Sequence, residues 1–291
     1  MKKLLLLTFL FTSFLCEAQR QIPLIEWQKT IGGSSGDILY SVQQTRDRGF
    51  IISGESYSPI SGEKSEVSRG ASDYWILKLD SNRNIKWQRT IGGSGTEIGD
   101  DSQNGYGGRI IIKETSDGSF IIGGNSNSGI SGDKTSINIG GWDYWVLKLS
   151  NTGTILWQKT IGGYGNDNLN SIKQTTDGGY ILAGTTTSGI GADKTENIKG
   201  GMDYWIVKLN DTGAIQWQKD IGSNSDDQLY DIEQTNDNGF ILAGYSDGYY
   251  GDKTEPSITQ FTLGTRDYWV VKLDSNRNIQ WQNTIGGYGD D

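Results

Sequence analysis

Short runs of alternating hydrophobic and polar residues follow one another along the chain, separated by turns rich in Gly, Asn and Asp. Within one stretch, positions 169–175 alternate, positions 176–179 have turn composition, and positions 180–184 are apolar. This pattern predicts a β-hairpin. After a polar loop, positions 203–209 and 214–221 predict two further strands, and no helical period interrupts them. The unit is therefore four antiparallel strands.

This four-strand unit recurs along the chain. A Trp-Gln-x-x-Ile-Gly phrase begins at spacings of 60, 70, 60 and 64 residues, at Trp27, Trp87, Trp157, Trp217 and Trp281. Between these phrases an Asp-Tyr-Trp block begins at Asp73, Asp143, Asp203 and Asp267. One unit has no partner for its apolar faces, so the copies must stack to bury them. The repeat length favours a β-propeller over a β-solenoid, whose coils are shorter.

The predicted fold is thus all-β: a β-propeller, or an open propeller arc, of four-stranded antiparallel blades. We expect the array to occupy residues 19–291, with a lone outer strand at 24–31 and four repeats that end near 90, 160, 221 and 285. In a closed propeller the lone first strand completes the last blade. Because the fourth set already has its own outer strand, we expect the array to continue beyond Asp291. Otherwise the blades form a small strained ring or an arc with bare edges.

The first residues predict export. Met1-Lys2-Lys3 and the apolar run at 4–15 have the form of a signal peptide, with cleavage after Ala18. The apolar run is too short to span a bilayer. Lipidation at Cys16 is the alternative, although the bulky Phe14-Leu15 is a poor lead-in for it. The protein is therefore expected to be secreted, extracellular or attached to the cell surface.

Composition narrows the possible activities. The formal net charge is -9, and no basic patch is present to neutralise phosphates, which argues against nucleic acid and against an anionic membrane surface. The chain contains no histidine, and its single cysteine lies in the leader. Ser-His-Asp and Cys-His catalysis and His-ligated zinc are therefore excluded. Since no catalytic motif remains, we expect a protein that is not an enzyme.

Three blocks resemble a known class of repeat. Asp203-Tyr-Trp-Ile-Val-Lys-Leu-Asn, Trp157-Gln-Lys-Thr-Ile-Gly-Gly and Thr176-Asp-Gly-Gly-Tyr-Ile-Leu-Ala-Gly resemble the repeats of secreted bacterial β-propeller proteins, many of which are type IX secretion cargo. The resemblance covers about residues 24–291. It implies a propeller fold and an extracellular location. Such relatives usually carry a C-terminal sorting domain, and none is visible in this sequence.

Two weaker resemblances concern folding elements. Thr175-x-Asp177-x-Gly179 resembles the Asp-box hairpin of sialidases, but no arginine triad for a sialic acid carboxylate is present. The segment 210–217 resembles the tryptophan-docking motif of quinoprotein propellers. Both motifs imply how strands and blades pack, and neither implies an activity.

If residues shared by all copies build the scaffold, function should reside where the copies differ. The second copy has ten extra residues between Thr90 and Phe120. Its acidic residues Glu97, Asp100 and Asp101 are candidates to hold calcium through oxygen ligands, the one cofactor we consider. A solvated loop is the favoured alternative, because their spacing is not that of an established calcium loop.

Two recurring aspartates are further candidates for cation binding. The loop between the second and third strands repeats Gly132-Asp133-Lys134-Thr135, whose aspartate either coordinates calcium or, as we favour, caps its own turn. The aspartate of Asp-Tyr-Trp either joins an axial cation site or accepts backbone N–H bonds where its strand begins. The second reading is favoured.

Aromatic residues in the divergent loops are the candidate ligand contacts. They are Trp142, Tyr245, Tyr249, Tyr250 and Phe261. Exposed aromatic rings on a rigid scaffold stack on sugars or anchor a protein partner. The expected function is therefore non-catalytic binding of carbohydrate or an extracellular protein at one rim. The alternatives are local packing of these rings, a carboxylate-dependent polysaccharide hydrolase or lyase, and a purely structural module of a larger surface protein.

Overall fold

The computed structural model of the protein describes residues 24–98, 108–255 and 266–287. The chain divides into two compact units, Met1–Ile31 and Gly32–Asp291. In the first unit, residues 24–31 belong to no sheet, so the predicted outer strand is absent there. A strand needs the backbone of a neighbour to form its hydrogen-bond ladder. The predicted leader, residues 1–18, lies outside the described residues.

The second unit is all-β and consists of four four-stranded antiparallel sheets, which we call blades 1 to 4. In each blade the strands are adjacent in chain order, as predicted. Their bounds are β1 Asp37–Gln44, β2 Phe50–Ser56, β3 Asp73–Leu79 and β4 Ile85–Ile91; β5 Ile111–Glu114, β6 Phe120–Ser126, β7 Asp143–Leu149 and β8 Ile155–Ile161; β9 Asp167–Gln174, β10 Tyr180–Thr186, β11 Asp203–Leu209 and β12 Ile215–Ile221; β13 Asp227–Gln234, β14 Phe240–Ser246, β15 Asp267–Leu273 and β16 Ile279–Ile285. Nowhere in the described ranges is there a helix able to cross a membrane.

The first hairpin of each blade is closed by an aspartate. In blade 3, Asp177 accepts hydrogen bonds from Thr175 Oγ1 (2.6 Å) and from the backbone N–H of Gly179 (3.0 Å). Lys208 of strand β11 makes an ion pair with the same carboxylate at 2.9 Å. These bonds outweigh partial burial and lower the pKa of Asp177 to about 2. The Asp-box therefore joins the first hairpin to the third strand, which explains the recurring Lys-Leu.

Blades pack through aromatic residues of their third strands. Strand β11 is buried on both faces, as its sequence predicted. The ring of Tyr144 from blade 2 lies 5.1 Å from the ring of Trp205 in blade 3, and its hydroxyl donates to the Trp205 carbonyl at 3.3 Å. The same Tyr–Trp contact joins blade 1 to blade 2 and blade 3 to blade 4 at 5.2 and 5.0 Å, in Tyr74–Trp145 and Tyr204–Trp269.

The outer strands supply a second contact of this kind. The ring of Trp157 in β8 lies 5.9 Å edge-on from Tyr180 of blade 3. It also covers the turn at Gly213, where φ is 83° and a Cβ atom would stand 3.1 Å from the indole. Only glycine combines this backbone conformation with this close approach at low cost. The segment that resembles a tryptophan-docking motif thus packs one blade on the next.

The four blades form an open arc. Strand contacts join each blade to the next, and among the described strands none joins blade 1 to blade 4. The outward faces at the two ends are consequently exposed. Tyr268 of blade 4 is 54% exposed, whereas the equivalent Tyr204 of blade 3 is 0% exposed. At the other end, Val42 of blade 1 is 58% exposed, whereas Ile172 of blade 3 is 0% exposed.

These two tyrosines provide a matched test of blade packing. Replacing Tyr204 with alanine should lower the free energy of unfolding by about 3–5 kcal/mol, the range for a buried aromatic side chain. Replacing Tyr268 with alanine should cost less than about 1 kcal/mol, because its side chain is exposed in the described structure. Urea denaturation followed by tryptophan fluorescence measures both. Equal losses from the two variants would contradict this account of the interface.

Candidate functional site

The strand order places the variable loops at one end of the blades. Hairpin turns between first and second strands and between third and fourth strands lie at one end, because neighbouring strands are antiparallel. The second-to-third loops and the blade-to-blade connections lie at the other end, which we call the loop face. The first strands β1, β5, β9 and β13 contact one another in succession, so they line the inner side of the arc.

Acidic residues at the loop face mostly bind backbone groups. At the start of the inner strands, Asp37 and Asp167 accept N–H bonds from Gly33 and Gly163 at 2.6 and 2.7 Å. In blade 2 this position is taken by Glu97, which accepts from the backbone of Gly93 and from two serine hydroxyls. Burial raises the pKa of Glu97. Glu97 therefore has a scaffold role in the described structure.

Of the three residues predicted to bind calcium, the structure describes only Glu97. Asp100 and Asp101 lie outside the described residues. Within the described ranges, no group of three or more acidic, histidine or cysteine side chains is arranged to hold a metal ion. Calcium binding by the insertion of the second copy stays a prediction.

The loop aspartate does not cap its own turn, contrary to our expectation. Asp133 of blade 2 accepts an N–H bond from Gly92 of blade 1 at 3.2 Å, and its own N–H donates to the Gly92 carbonyl at 2.8 Å. Gly92 follows strand β4, where the ladder has ended and both backbone groups need partners. The equivalent bonds link Asp193 to Gly162 and Asp252 to Gly222. The motif therefore ties each blade to the preceding one.

The aspartate of Asp-Tyr-Trp accepts backbone N–H bonds, as predicted. Asp143 Oδ2 accepts from Ile139 N at 2.6 Å, and Asp73 and Asp203 accept from Arg69 and Lys199 in the same way. Burial is the main reason that the pKa of Asp143 rises to about 6. These carboxylates hold the end of the long loop against the third strand.

Blade 3 carries an additional buried carboxylate. Asp220 is 1% exposed, where the other blades have Thr90, Thr160 and Thr284. It forms ion pairs with Lys194, which is equally buried, and with Lys199 at 3.1 Å. Burial, followed by hydrogen bonding and repulsion from Asp220, raises the pKa of Asp203 to about 8.

The predicted ligand contacts are distributed over two places at the loop face. Trp142 is half-buried beside blade 3, where its backbone N–H donates to Asn166 Oδ1 at 3.1 Å. Tyr249 is half-buried and Tyr250 is 73% exposed, and the backbone N–H groups of both donate to Asn224 Oδ1. Phe261 lies outside the described residues. None of the described hydrogen bonds or ring contacts joins Trp142 to the tyrosines.

Tyr245 is buried, although an exposed ring was expected. It is 4% exposed, because it belongs to strand β14 and is covered on both sides by β13 and β15. Its ring lies 6.2 Å from that of Tyr230, and the Arg266 guanidinium stands 4.7 Å above it. The Arg109 guanidinium from blade 2 lies 5.9 Å from the Tyr230 ring. This group, which we call the axial cluster, joins blades 2 and 4.

Arg109 and Tyr230 were not among the predicted contacts, because those came from the divergent loops, whereas Arg109 lies just before β5 and Tyr230 lies within β13. Register shifts occur at Tyr40 in β1, Asn170 in β9 and Tyr230 in β13, so each of these residues sits in a bulge. A bulge redirects one side chain and is frequent beside functional sites. Comparison of the copies at this position, which reads Tyr, Ile, Asn and Tyr, would have identified it.

Blade 1 has a different cluster of side chains at the positions equivalent to the axial cluster of blade 4. Glu55 occupies the strand position of Tyr245 and is 3% exposed. The hydroxyls of Tyr40 and Tyr57 donate to its two carboxylate oxygens at 3.2 and 3.4 Å. The scaffold contacts are thus repeated from blade to blade, whereas the residues between them at the loop face change.

Comparisons with known proteins identify no family. Neither a protein-family model nor a curated protein matches the chain. Among solved structures, a mutant of the apocarotenoid oxygenase of Synechocystis is similar, with 12% sequence identity and a TM-score of 0.35. The alignment covers 87% of this chain and 71% of that one. This similarity is too low to support any inference about activity.

The buried carboxylates predict how stability depends on pH. The pKa of Asp203 in the folded protein is about 8, above that of an unfolded aspartate. Its contribution to stability is therefore complete below about pH 4 and is lost as the pH rises through about 8. The melting temperature should fall from about pH 6 to pH 8, within the interval between the two pKa values. Asp220→Thr, which copies the other blades, should reduce this fall. Scanning calorimetry at several pH values measures the melting temperature. The control is Asp211→Asn, because Asp211 is exposed. An unchanged pH profile in the Asp220→Thr protein would contradict the proposed coupling.

Proposed function

We propose that the protein is a secreted or cell-surface binding scaffold without catalytic activity, which holds carbohydrate or an extracellular protein at its loop face. One observation carries this proposal: the residues that build the blades repeat, whereas side chains of the loop face differ between blades at equivalent positions. The position before the third strand, for example, reads Ser72, Trp142, Met202 and Arg266. Residues under a common packing constraint would repeat as the scaffold does.

The chemistry of the variable positions suits binding. Tyr230 is 39% exposed and its hydroxyl donates to Gln228 Oε1, whereas Tyr250 is 73% exposed and its backbone N–H donates to Asn224 Oδ1. Tyrosine offers a flat apolar face for a sugar ring and a hydroxyl for its polar groups. Rigid placement lowers the entropy cost of binding, because few rotamers are lost.

Of the two ligand classes, we favour carbohydrate. The exposed aromatic rings at the loop face are separate rather than joined in one broad apolar surface, and amides such as Asn166 and Asn224 lie among them. Isolated rings between polar groups match the alternating apolar and hydroxyl faces of sugars. A protein partner would favour a larger apolar centre.

A carboxylate-dependent hydrolase or lyase is the second candidate. The chain has many acids, and Asp203, with its raised pKa, has the protonation state of a general acid at neutral pH. However, Asp203 is 0% exposed and its carboxylate is engaged by backbone N–H groups, so it does not reach substrate. The third candidate, a structural module of a larger surface protein, needs no loop-face ligand.

A glycan array combined with an assay for reducing-sugar release tests the proposal. We expect binding without turnover. Tyr230→Asn and Trp142→Ser replace the ring with the residue of a sibling blade, Asn170 or Ser72, so the fold should be retained. Loss of a stacking residue at the binding centre should weaken binding about tenfold or more. Turnover that is abolished by changing one Asp or Glu would overturn the non-catalytic reading. Undiminished binding by both variants would exclude these two residues as contacts.

A further inference from the structure

Arg109 is an exposed arginine that has no acidic partner among the described residues. In this chain 35 acidic residues accompany 26 basic ones, and two other arginines have acidic partners, Arg69 with Asp133 and Arg89 with Glu66. Within the part of the chain that the structure describes, the Arg109 side chain makes neither an ion pair nor a hydrogen bond. An uncompensated guanidinium in so acidic a molecule is a candidate anion contact.

The position of Arg109 is unusual among the copies. It lies three residues before Ile112, as Leu169 lies before Ile172 and Leu229 before Ile232. Those two leucines are 0% exposed and pack in the interfaces between blades. Blade 2 thus replaces a buried packing residue with an exposed cation, which a purely structural role does not explain.

The axial cluster places this cation beside an aromatic ring. The Arg109 guanidinium lies 5.9 Å from the centre of the Tyr230 ring. The Tyr230 hydroxyl donates to Gln228 Oε1 at 3.2 Å, and the buried Tyr245 packs beside its ring. A guanidinium held at an aromatic ring keeps N–H donors free, and two of them match the two oxygens of a carboxylate.

We propose that the axial cluster binds an acidic sugar residue, a uronate, whose carboxylate is held by Arg109 and whose ring contacts the exposed part of Tyr230. This inference rests on the proposed function and names the class of carbohydrate. A sugar is favoured over an acidic peptide because the group beside Arg109 is a tyrosine ring fixed by a neutral amide. A peptide carboxylate requires no adjacent aromatic surface.

Isothermal titration calorimetry with trigalacturonate, its methyl ester and hexaglutamate tests this proposal on the full chain. The variant is Arg109→Leu, which installs the residue of blades 1, 3 and 4 at this position. The matched control is Arg48→Asn, which removes the same charge. Arg48 lies in the hairpin turn at the opposite end of blade 1, with φ of 66°, and its sibling Asn238 has φ of 62°. Thermal melts verify that both variants fold.

The wild-type protein should bind trigalacturonate at least about tenfold more tightly than the methyl ester, since only the acid offers a charged acceptor. Arg109→Leu should reduce the affinity for the acid about tenfold and leave the ester unaffected, whereas Arg48→Asn should change neither. Equal affinity for acid and ester, or no effect of Arg109→Leu, would overturn the inference.

The remaining outcomes separate this inference from the proposed function. Hexaglutamate binding as tight as that of trigalacturonate, with the same loss in Arg109→Leu, would show an acidic peptide site and overturn the sugar assignment. Failure to bind trigalacturonate would also overturn it. In that case, Tyr230-dependent binding of neutral glycans on the array would leave the proposed function standing. The absence of all glycan binding would contradict both the uronate inference and the proposed carbohydrate-binding function.

Discussion

The contact between a tyrosine of one blade and a tryptophan of the next is the interaction on which the structure depends. A third strand that is apolar on both faces is stable only when a neighbour covers each face. The Tyr144–Trp205 pair does this in a way that also satisfies the tyrosine hydroxyl. Each buried interface between blades contains the same pair. Consecutive blades therefore pack on one another in the same way. Their inner strands are thereby brought together on one side of the arc.

This regular packing explains the acidic composition. In many soluble proteins a surplus of carboxylates signals metal sites or solubility, but here most of the recurring ones bind backbone. Asp177 closes a hairpin, Asp133 ties one blade to the preceding one, and Asp143 holds the long loop at its strand. Short strands joined by irregular loops leave many backbone N–H groups without ladder partners, and carboxylates satisfy them. The same burial that makes these bonds strong raises the pKa of Asp143 and Asp203.

The copies differ at the loop face, and turn residues at the opposite end also differ, as Arg48 and Asn238 do. The Asp-box end is held by the Asp–Lys pair of every blade, whereas at the other end the inner strands of blades 1, 3 and 4 have bulges at Tyr40, Asn170 and Tyr230. Tyr230 and Tyr40 occupy such bulges and meet different neighbours, an arginine in one case and a buried glutamate in the other. The repeated scaffold thus carries different side chains at the loop face of each blade, and the proposed binding function rests on this difference.

The sequence by itself determined the blade. Alternation, turn composition and the Asp-Tyr-Trp and Trp-Gln repeats predicted four antiparallel strands and a third strand buried on both faces, because these features follow from local periodicity and repetition. Its prediction of an exposed ring at Tyr245 was wrong, because that ring is buried. Only the tertiary structure decided which groups meet. Arg109 and Tyr230 are 121 residues apart and belong to blades that are not consecutive. Their proximity results from the curvature of the arc, which depends on packing between sheets and leaves no periodic signal in the chain. For the same reason, the sequence predicted that Asp133 caps its own turn, whereas the structure pairs it with Gly92 of the preceding blade.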